Sequence, residues 1–174
     1  MQKDQQKTQV EEQDTHQLAQ SALKKIQETK EKNKRLRIVR SISRIDNPWA
    51  LDVLLETLAD PAEDIRRYIA GYLAGKENLE LSFLYKRLSK PPWNIKIEVL
   101  KILGLRKDSN STEHIAVVLN DSNVDVRKTA AEVLGIIGGK NATALLVQLA
   151  KEDNPFVRKA AEKSLRETSD LKFM

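Results

Sequence analysis

The sequence has 174 residues, 40% of them hydrophobic and 5% aromatic, and a formal net charge of +5. Its length suits one domain with a buried core, and 6 Gly and 5 Pro are too few for an all-β fold rich in turns. The chain has no cysteine, which excludes disulfides, thiolate catalysis and cysteine-based zinc sites. No apolar run approaches the ~18 residues of a membrane span, and we expect a cytoplasmic protein.

The chain begins with a polar stretch that has no periodic apolar positions. We therefore predict that residues 1–13 are disordered. A helix is predicted to begin near Asp14 or Thr15 and to carry Leu18 and Ile26 on one side.

Most of the positive charge lies in the next segment, KKIQETKEKNKRLRIVR. Eight basic residues and two Glu give it a balance of +6, so the rest of the chain sums to −1. The basic residues are Lys24, Lys25, Lys30, Lys32, Lys34, Arg35, Arg37 and Arg40. They form the solvated faces of a first hairpin, or bind an acidic protein partner, or bind nucleic acid or an anionic membrane surface. The segment has no interleaved aromatic residues for base stacking, which argues against single-strand recognition.

A pattern of one Ile or Val followed by a base then recurs at intervals of 30, 31 and 31 residues. Its copies are Ile65-Arg66, Ile95-Lys96, Val126-Arg127 and Val157-Arg158. Apolar residues follow each Ile or Val at distances of four and eight residues, for example Ile69 and Leu73, and this spacing marks one face of a helix. A further copy of this helix is predicted at Arg35 to Arg44.

A second helical pattern precedes each copy. A Leu or Ile stands four residues before a further Leu, at positions 54, 84, 115 and 145. Each unit thus reads as helix, tight turn, helix. Gly75, Gly104 and Gly135 are predicted to cap the second helices, and Gly138 and Gly139 to break the chain. One hairpin cannot bury its apolar face alone, so the units are predicted to stack over residues 14–168.

The stretch DSNVDVRKTAAEVLGIIGG, with the Leu-rich helix that follows it, resembles HEAT repeats. It is most similar to the short type named after phycobilisome lyases, through its Asp before the turn, its Val-Arg pair and its Ala-Ala and Leu-Gly steps. The resemblance implies an all-α fold, a right-handed α-solenoid of about five stacked helical hairpins. It also implies a ladder of ion pairs, drawn from Arg66, Arg127 and Arg158 with Asp60, Asp121 and Asp153. Lys90 and Lys96 are expected to interrupt that ladder.

Residues for catalysis are scarce in this sequence. The two histidines are His16 and His114, and the single Glu113-His114 pair cannot build a two-metal site, so His114 is interpreted as a surface residue. No Gly-rich phosphate loop is present. Trp49 and Trp93 each follow a proline and cover the edge of the core, or serve as exposed anchors for a partner.

In HEAT-like arrays the second helices line the concave side, so their outward positions are the candidate binding surface. These are Arg67, Tyr68, Glu98, Lys101, Lys128, Glu132, Lys159 and Glu162. The tail over residues 169–174 carries Leu171, Phe173 and Met174, which either cap the last hairpin or dock on another chain.

These features predict a non-enzymatic scaffold or adaptor that binds protein partners, within a larger complex, and uses no cofactor. One alternative is a phycobilin lyase-like or chaperone-like subunit that holds a client protein or a tetrapyrrole. A less favoured alternative is an electrostatic nucleic-acid binder that uses the basic segment.

Overall fold

A computed structural model of the chain describes residues 2–170, and the side chains of residues 13–168. Among these residues there are ten α-helices and one 3-10 turn, and no strand, so the predicted all-α fold is confirmed. The helices are α1 (Gln2–Glu28), α2 (Lys32–Ile42), α3 (Pro48–Thr57), α4 (Glu63–Gly75), α5 (Ser82–Leu88), α6 (Trp93–Arg106), α7 (Ser111–Ile115, extended by the 3-10 turn Ala116–Val118), α8 (Val124–Ile137), α9 (Gly139–Leu149) and α10 (Pro155–Asp170). The predicted tail residues Leu171, Phe173 and Met174 lie outside the described residues.

The ten helices form five helix–turn–helix pairs, and α2, α4, α6, α8 and α10 are the second helices. The four clear copies of the sequence pattern fall in α4, α6, α8 and α10, as predicted. The first pair differs from its prediction, because α1 begins at Gln2 and has no boundary near residue 13. Gln, Lys and Glu dominate its first turns and are good helix formers, although they supply little apolar surface.

The chain divides into two compact units, Met1–Ile69 and Ala70–Met174. In the first unit α1 packs against α3. In the second unit α8 packs between α6 and α10 and also against α9. Apolar residues at the repeat positions fill both cores and are fully buried, among them Ile65, Ile69, Val99, Leu103, Val126, Ala130, Leu134, Val157 and Ala161.

Asparagine side chains start two of the second helices in the second unit. Asn123 Oδ1 accepts hydrogen bonds from the backbone N–H groups of Asp125 and Val126, at 2.8 and 3.2 Å. Asn154 does the same for Phe156 and Val157. These caps satisfy backbone donors that have no partner inside the helix, which fixes the start of α8 and α10.

The glycines of the second helices do not act as the predicted caps. Gly104 and Gly135 lie inside α6 and α8, and neither has a positive φ. A Cβ on Gly135 would lie 2.6 Å from Oγ of Ser164, and one on Gly104 would lie 3.3 Å from Cγ2 of Val133. These two glycines therefore allow close contact between neighbouring second helices.

The left-handed positions lie elsewhere. Lys107 follows α6 as its C-cap with a φ of 51°, Gly138 lies between α8 and α9 with a φ of 68°, and Gly139 begins α9 with a φ of 85°. The predicted chain break at the two glycines is thus confirmed. At Lys107 the sequence offered no glycine to mark the left-handed cap.

A ladder of ion pairs is present as predicted, and its described rungs join a second helix to the turn of the following repeat. The base of the first rung is Arg35, which was not among the predicted bases. Three pairs share a separation of 25 residues: Arg35 with Asp60 at 2.8 Å, Lys96 with Asp121 at 2.6 Å, and Arg127 with Glu152 at 2.9 Å. Two expectations were wrong. The acid of the last turn is Glu152 rather than Asp153, and Lys96 carries a rung instead of interrupting the ladder.

Each arginine of the repeat also holds the turn that precedes it. From Nη1, Arg66 donates to the carbonyl oxygens of Asp60 and Pro61 at 2.7 and 3.0 Å. Arg35, Arg127 and Arg158 make the same two bonds to the carbonyls six and five residues before them. One guanidinium thus fixes a turn and, in Arg35 and Arg127, also reaches an acid of the next turn.

The rungs shift the pKa values of their members. Hydrogen bonds to Asp60 and Glu152 raise the pKa values of Arg35 and Arg127. For Asp121, burial alone raises the pKa, but hydrogen bonds from Lys96 and from the Asn123 backbone N–H outweigh it. The pKa of Asp121 therefore lies below its usual value.

Candidate interaction surfaces

Half of the eight cations in the basic segment form ion pairs with carboxylates of the same chain. Four of its cations are bound to carboxylates of the first unit: Lys24 to Glu28 at 3.8 Å, Lys32 to Asp64 at 2.6 Å, Lys34 to Glu31 at 2.8 Å, and Arg35 to Asp60. Arg35 and Asp60 are 12% and 4% exposed, so this rung is a buried structural pair. Lys32 also lowers the pKa of Asp64 by hydrogen bonding to it.

The outer side of α2 carries two of the other four cations, and the remaining two are Lys25 and Lys30. Arg37 and Arg40 are exposed on this helix, and Arg44 is exposed in the turn that follows it, where its backbone N–H donates to the Ser41 carbonyl at 3.3 Å. We call these three residues the arginine face. Helix α2 contains no acidic residue along its whole length. Arg44 lies outside the predicted basic segment, and its position four residues after Arg40 is the sequence signal that assigns it to this face.

Tyr68 holds one member of the arginine face in place. The Arg40 guanidinium lies 5.4 Å from the centre of the Tyr68 ring, which is a cation–π contact. The Tyr68 hydroxyl is 2.8 Å from Oγ of Ser43, which is buried. Tyr68 was predicted as an outward docking residue. The structure instead places it half-buried, with its ring and hydroxyl both engaged.

Arg67, beside Tyr68, has the exposure that was predicted for it. Its guanidinium pairs with Glu63 at 2.7 Å on the surface of α4, and this hydrogen bond raises its pKa. Both side chains of the pair are largely exposed to solvent, so the pair contributes little to stability. Arg67 can therefore leave Glu63 and pair with a carboxylate of a partner.

The second unit carries the other predicted surface residues, and one of them is misplaced. Glu98 is only 9% exposed, and Lys101 pairs with it at 3.0 Å, so Glu98 is not an outward position. Lys101, Glu132 and Lys159 are exposed, and Lys128 and Glu162 are half-exposed. Lys128 and Glu132 pair with each other at 3.4 Å on one face of α8.

Two apolar residues on the same helices were not predicted. Leu105 on α6 is 63% exposed and Ile136 on α8 is 53% exposed. Both stand ten residues after the repeat Ile or Val, two residues beyond the buried Leu103 and Leu134. Cδ1 of Ile136 lies 3.8 Å from the position of a Cβ on Gly104, next to Leu105. We call these two residues the apolar patch.

The structure also shows how far the two tryptophans, His114 and Phe156 are exposed. Trp93 is exposed and begins α6, whereas Trp49 is half-buried at the start of α3. His114 is exposed, as predicted, and stacks on Tyr85 with ring centres 3.6 Å apart. Phe156 is also exposed, at the start of α10.

Two surface cavities lie beside rungs of the ladder. One of about 290 Å³ includes Arg35 and Asp60 in its lining, and one of about 430 Å³ includes Arg127 and Glu152. A ligand in either cavity would contact charges that already neutralise each other. Within residues 13–168, no group of three or more His, Asp or Glu is placed to hold a metal ion.

No helix in the described part of the chain is both long enough and apolar enough to cross a membrane. A family model described as HEAT repeats matches residues 81–166, which span the second unit from before α5 to within α10. A comparison with curated proteins found no match.

Proposed function

We propose that this chain, a HEAT-repeat protein over residues 81–166, is a non-enzymatic cytoplasmic scaffold that binds a protein partner through its second helices. HEAT repeats in general mediate protein interactions. The partner would lie across α6, α8 and α10. The inner positions of these helices are buried against their neighbours, and their outer positions are exposed. No step of this function needs a cofactor. The phycobilisome lyase-type subclass and the client or tetrapyrrole role stay predictions.

The observation that supports this proposal is the apolar patch. Leu105 and Ile136 occupy equivalent positions on two helices that pack against each other. Exposed charged residues flank them on one side, since Lys101 and Glu132 stand one turn earlier on the same helices. An apolar centre with a charged rim is the usual composition of a protein interface. Because both Lys and Glu lie beside the patch, a charged group of either sign on the partner can pair with an opposite charge.

The proposal is tested by placing charge in the patch. We expect Leu105→Glu/Ile136→Glu to lose the partners that the wild-type protein retains in affinity purification from its native source. Both substitutions are on exposed positions, so the thermal unfolding midpoint should change little. Quantitative mass spectrometry of the retained proteins measures the effect.

A matched control lies on the first helices. Val117 and Val147 are 57% and 43% exposed and stand at equivalent positions of neighbouring repeats. Val117→Glu/Val147→Glu adds the same charge and removes a similar apolar area on a different set of helices. Loss of partners with the patch variant and retention with the control support the proposal. Retention with both variants would refute it.

A further inference from the structure

The arginine face carries a charge that the first unit does not neutralise along α2. Arg37 and Arg40 are three residues apart on α2, so their side chains lie on one side of the helix, and Arg44 follows four residues later in the turn after it. Like charges at this spacing repel one another, and α2 supplies no acid to relieve that repulsion. We propose that this face binds an acidic peptide segment of a protein partner.

The side-chain type favours carboxylates as the ligand. A guanidinium presents a planar set of donors that matches both oxygens of a carboxylate, whereas an ammonium acts as a point charge. The lysines of this region, Lys32 and Lys34, are already bound to acids of the chain. The exposed outer positions are arginines, the basic residue that protein interfaces favour over lysine.

One guanidinium of the face is held in advance. The ring of Tyr68 supports Arg40, and the hydroxyl of Tyr68 is fixed by Ser43. A side chain already ordered in the free protein loses less conformational freedom when it binds a ligand. The same contact occupies the Tyr68 ring, so that ring does not serve as a stacking platform for a nucleic-acid base.

The dimensions of the face limit the length of the ligand. Arg44 stands seven positions after Arg37, and seven positions correspond to about 10 Å along a helix. Acids at the first, fourth and eighth positions of a partner helix have the matching spacing. Ile45 is 41% exposed beside Arg44 and offers an apolar contact at one end. The matching ligand is therefore a short acidic helix with one apolar residue near its end.

The test uses a fluorescein-labelled 14-residue helical peptide with Glu at positions 1, 4 and 8 and Leu at position 9, and the same peptide with Gln in place of Glu. Binding is measured by fluorescence anisotropy on the full chain. We expect Arg37→Gln/Arg40→Gln/Arg44→Gln to weaken binding of the Glu peptide by about tenfold, since exposed ion pairs each contribute only a few-fold.

The control removes three positive charges from another part of the same segment. Lys24, Lys25 and Lys30 are all exposed, and Lys24→Gln/Lys25→Gln/Lys30→Gln leaves the same net charge as the arginine variant. Less than a twofold loss with this control supports the proposal. Equal losses with both variants would show that only net charge matters and would overturn it.

Two further outcomes would overturn the inference. One is equal affinity of the wild-type chain for the Glu and Gln peptides. The other is tighter binding of a 16-base-pair DNA duplex than of the Glu peptide at 150 mM salt, provided that the arginine variant loses the DNA binding. That result would show that the face binds phosphates. The peptide assay does not involve the apolar patch, so its failure is separate from failure of the proposed scaffold function.

Discussion

Lys96 is the one base of the repeat pattern, among the described second helices, that is not an arginine. Its ammonium lies 2.6 Å from Asp121, and the two side chains are 16% and 9% exposed. An arginine at the same position of the other repeats also donates to two carbonyls of its own turn. A lysine has a single charged nitrogen, so the stability of this rung depends on one bond to one carboxylate.

We expect Lys96→Met to reduce the free energy of unfolding at pH 7 by about 1–3 kcal/mol, because it leaves the Asp121 carboxylate buried beside an apolar group. The folded-state pKa of Asp121 is lowered, so its contribution to stability is present above its usual value of about 4 and is lost as pH falls through the lowered pKa. The difference between variant and wild type should therefore shrink as the pH falls below about 4. Urea unfolding at pH 7 and pH 3 measures it.

Lys128→Met is the control for this prediction. Lys128 pairs with Glu132 on one helix, with both side chains about half exposed, so its removal should have a small effect at either pH. A Lys96→Met variant as stable as Lys128→Met at pH 7 would mean that the rung contributes nothing.

Contact between neighbouring second helices depends on two glycines. Gly135 on α8 lies against Ser164 on α10, and Gly104 on α6 lies against Val133 on α8. The two contacts differ in tightness, since an added Cβ would lie 2.6 Å from Ser164 but 3.3 Å from Val133. Real Cβ atoms do not reach the first distance, so a larger residue at Gly135 forces α8 and α10 apart.

We expect Gly135→Ala to be destabilising by about 1–3 kcal/mol, because the strain exceeds the gain of about 1 kcal/mol in helix propensity. Gly71→Ala is the control: Gly71 is exposed inside α4 with no atom near its Cβ position, and this change should stabilise the chain by about 0.5–1 kcal/mol. Gly135→Ala/Ser164→Gly removes the opposing Cβ and should recover part of the loss. Thermal and urea unfolding measure all three; equal stability of Gly135→Ala and Gly71→Ala would contradict the contact.

The elements of the fold were predictable from the sequence because the repeat sets both the helices and the buried positions. Val126, Ala130 and Leu134 are buried as their spacing of four and eight residues indicates. The role of Gly135 was not predictable, because it depends on the distance between two helices and not on the sequence of either. Glu152 and Asp153 are adjacent acids, and only Glu152 stands 25 residues after its base, the separation that the other two rungs share.

At the scale of the whole molecule, the sequence predicted which segment carries the positive charge. It did not predict which of those charges are free to bind a partner and which pair within the chain. The basic segment was found from its composition, yet four of its eight cations pair within the first unit, and only two of the exposed remainder, Arg37 and Arg40, lie on α2. On the second helices, the choice of polar residues as the docking surface excluded Leu105 and Ile136 and included the buried Glu98. Exposure of an apolar residue depends on its neighbours in three dimensions, so the pattern alone did not reveal it.

The arginine face and the apolar patch lie in different compact units, Met1–Ile69 and Ala70–Met174, and share no residue. We therefore expect their effects to be independent: Leu105→Glu/Ile136→Glu should leave affinity for the Glu peptide within twofold of wild type. Substitutions without shared partners have additive free energies, so the combined variant should show the peptide loss of the arginine variant and the partner loss of the patch variant. Anisotropy and quantitative affinity purification measure this on four proteins: the wild type, the arginine variant, the patch variant and the combined variant. A peptide affinity that falls more than twofold with the patch variant would mean that the two surfaces act together on one ligand.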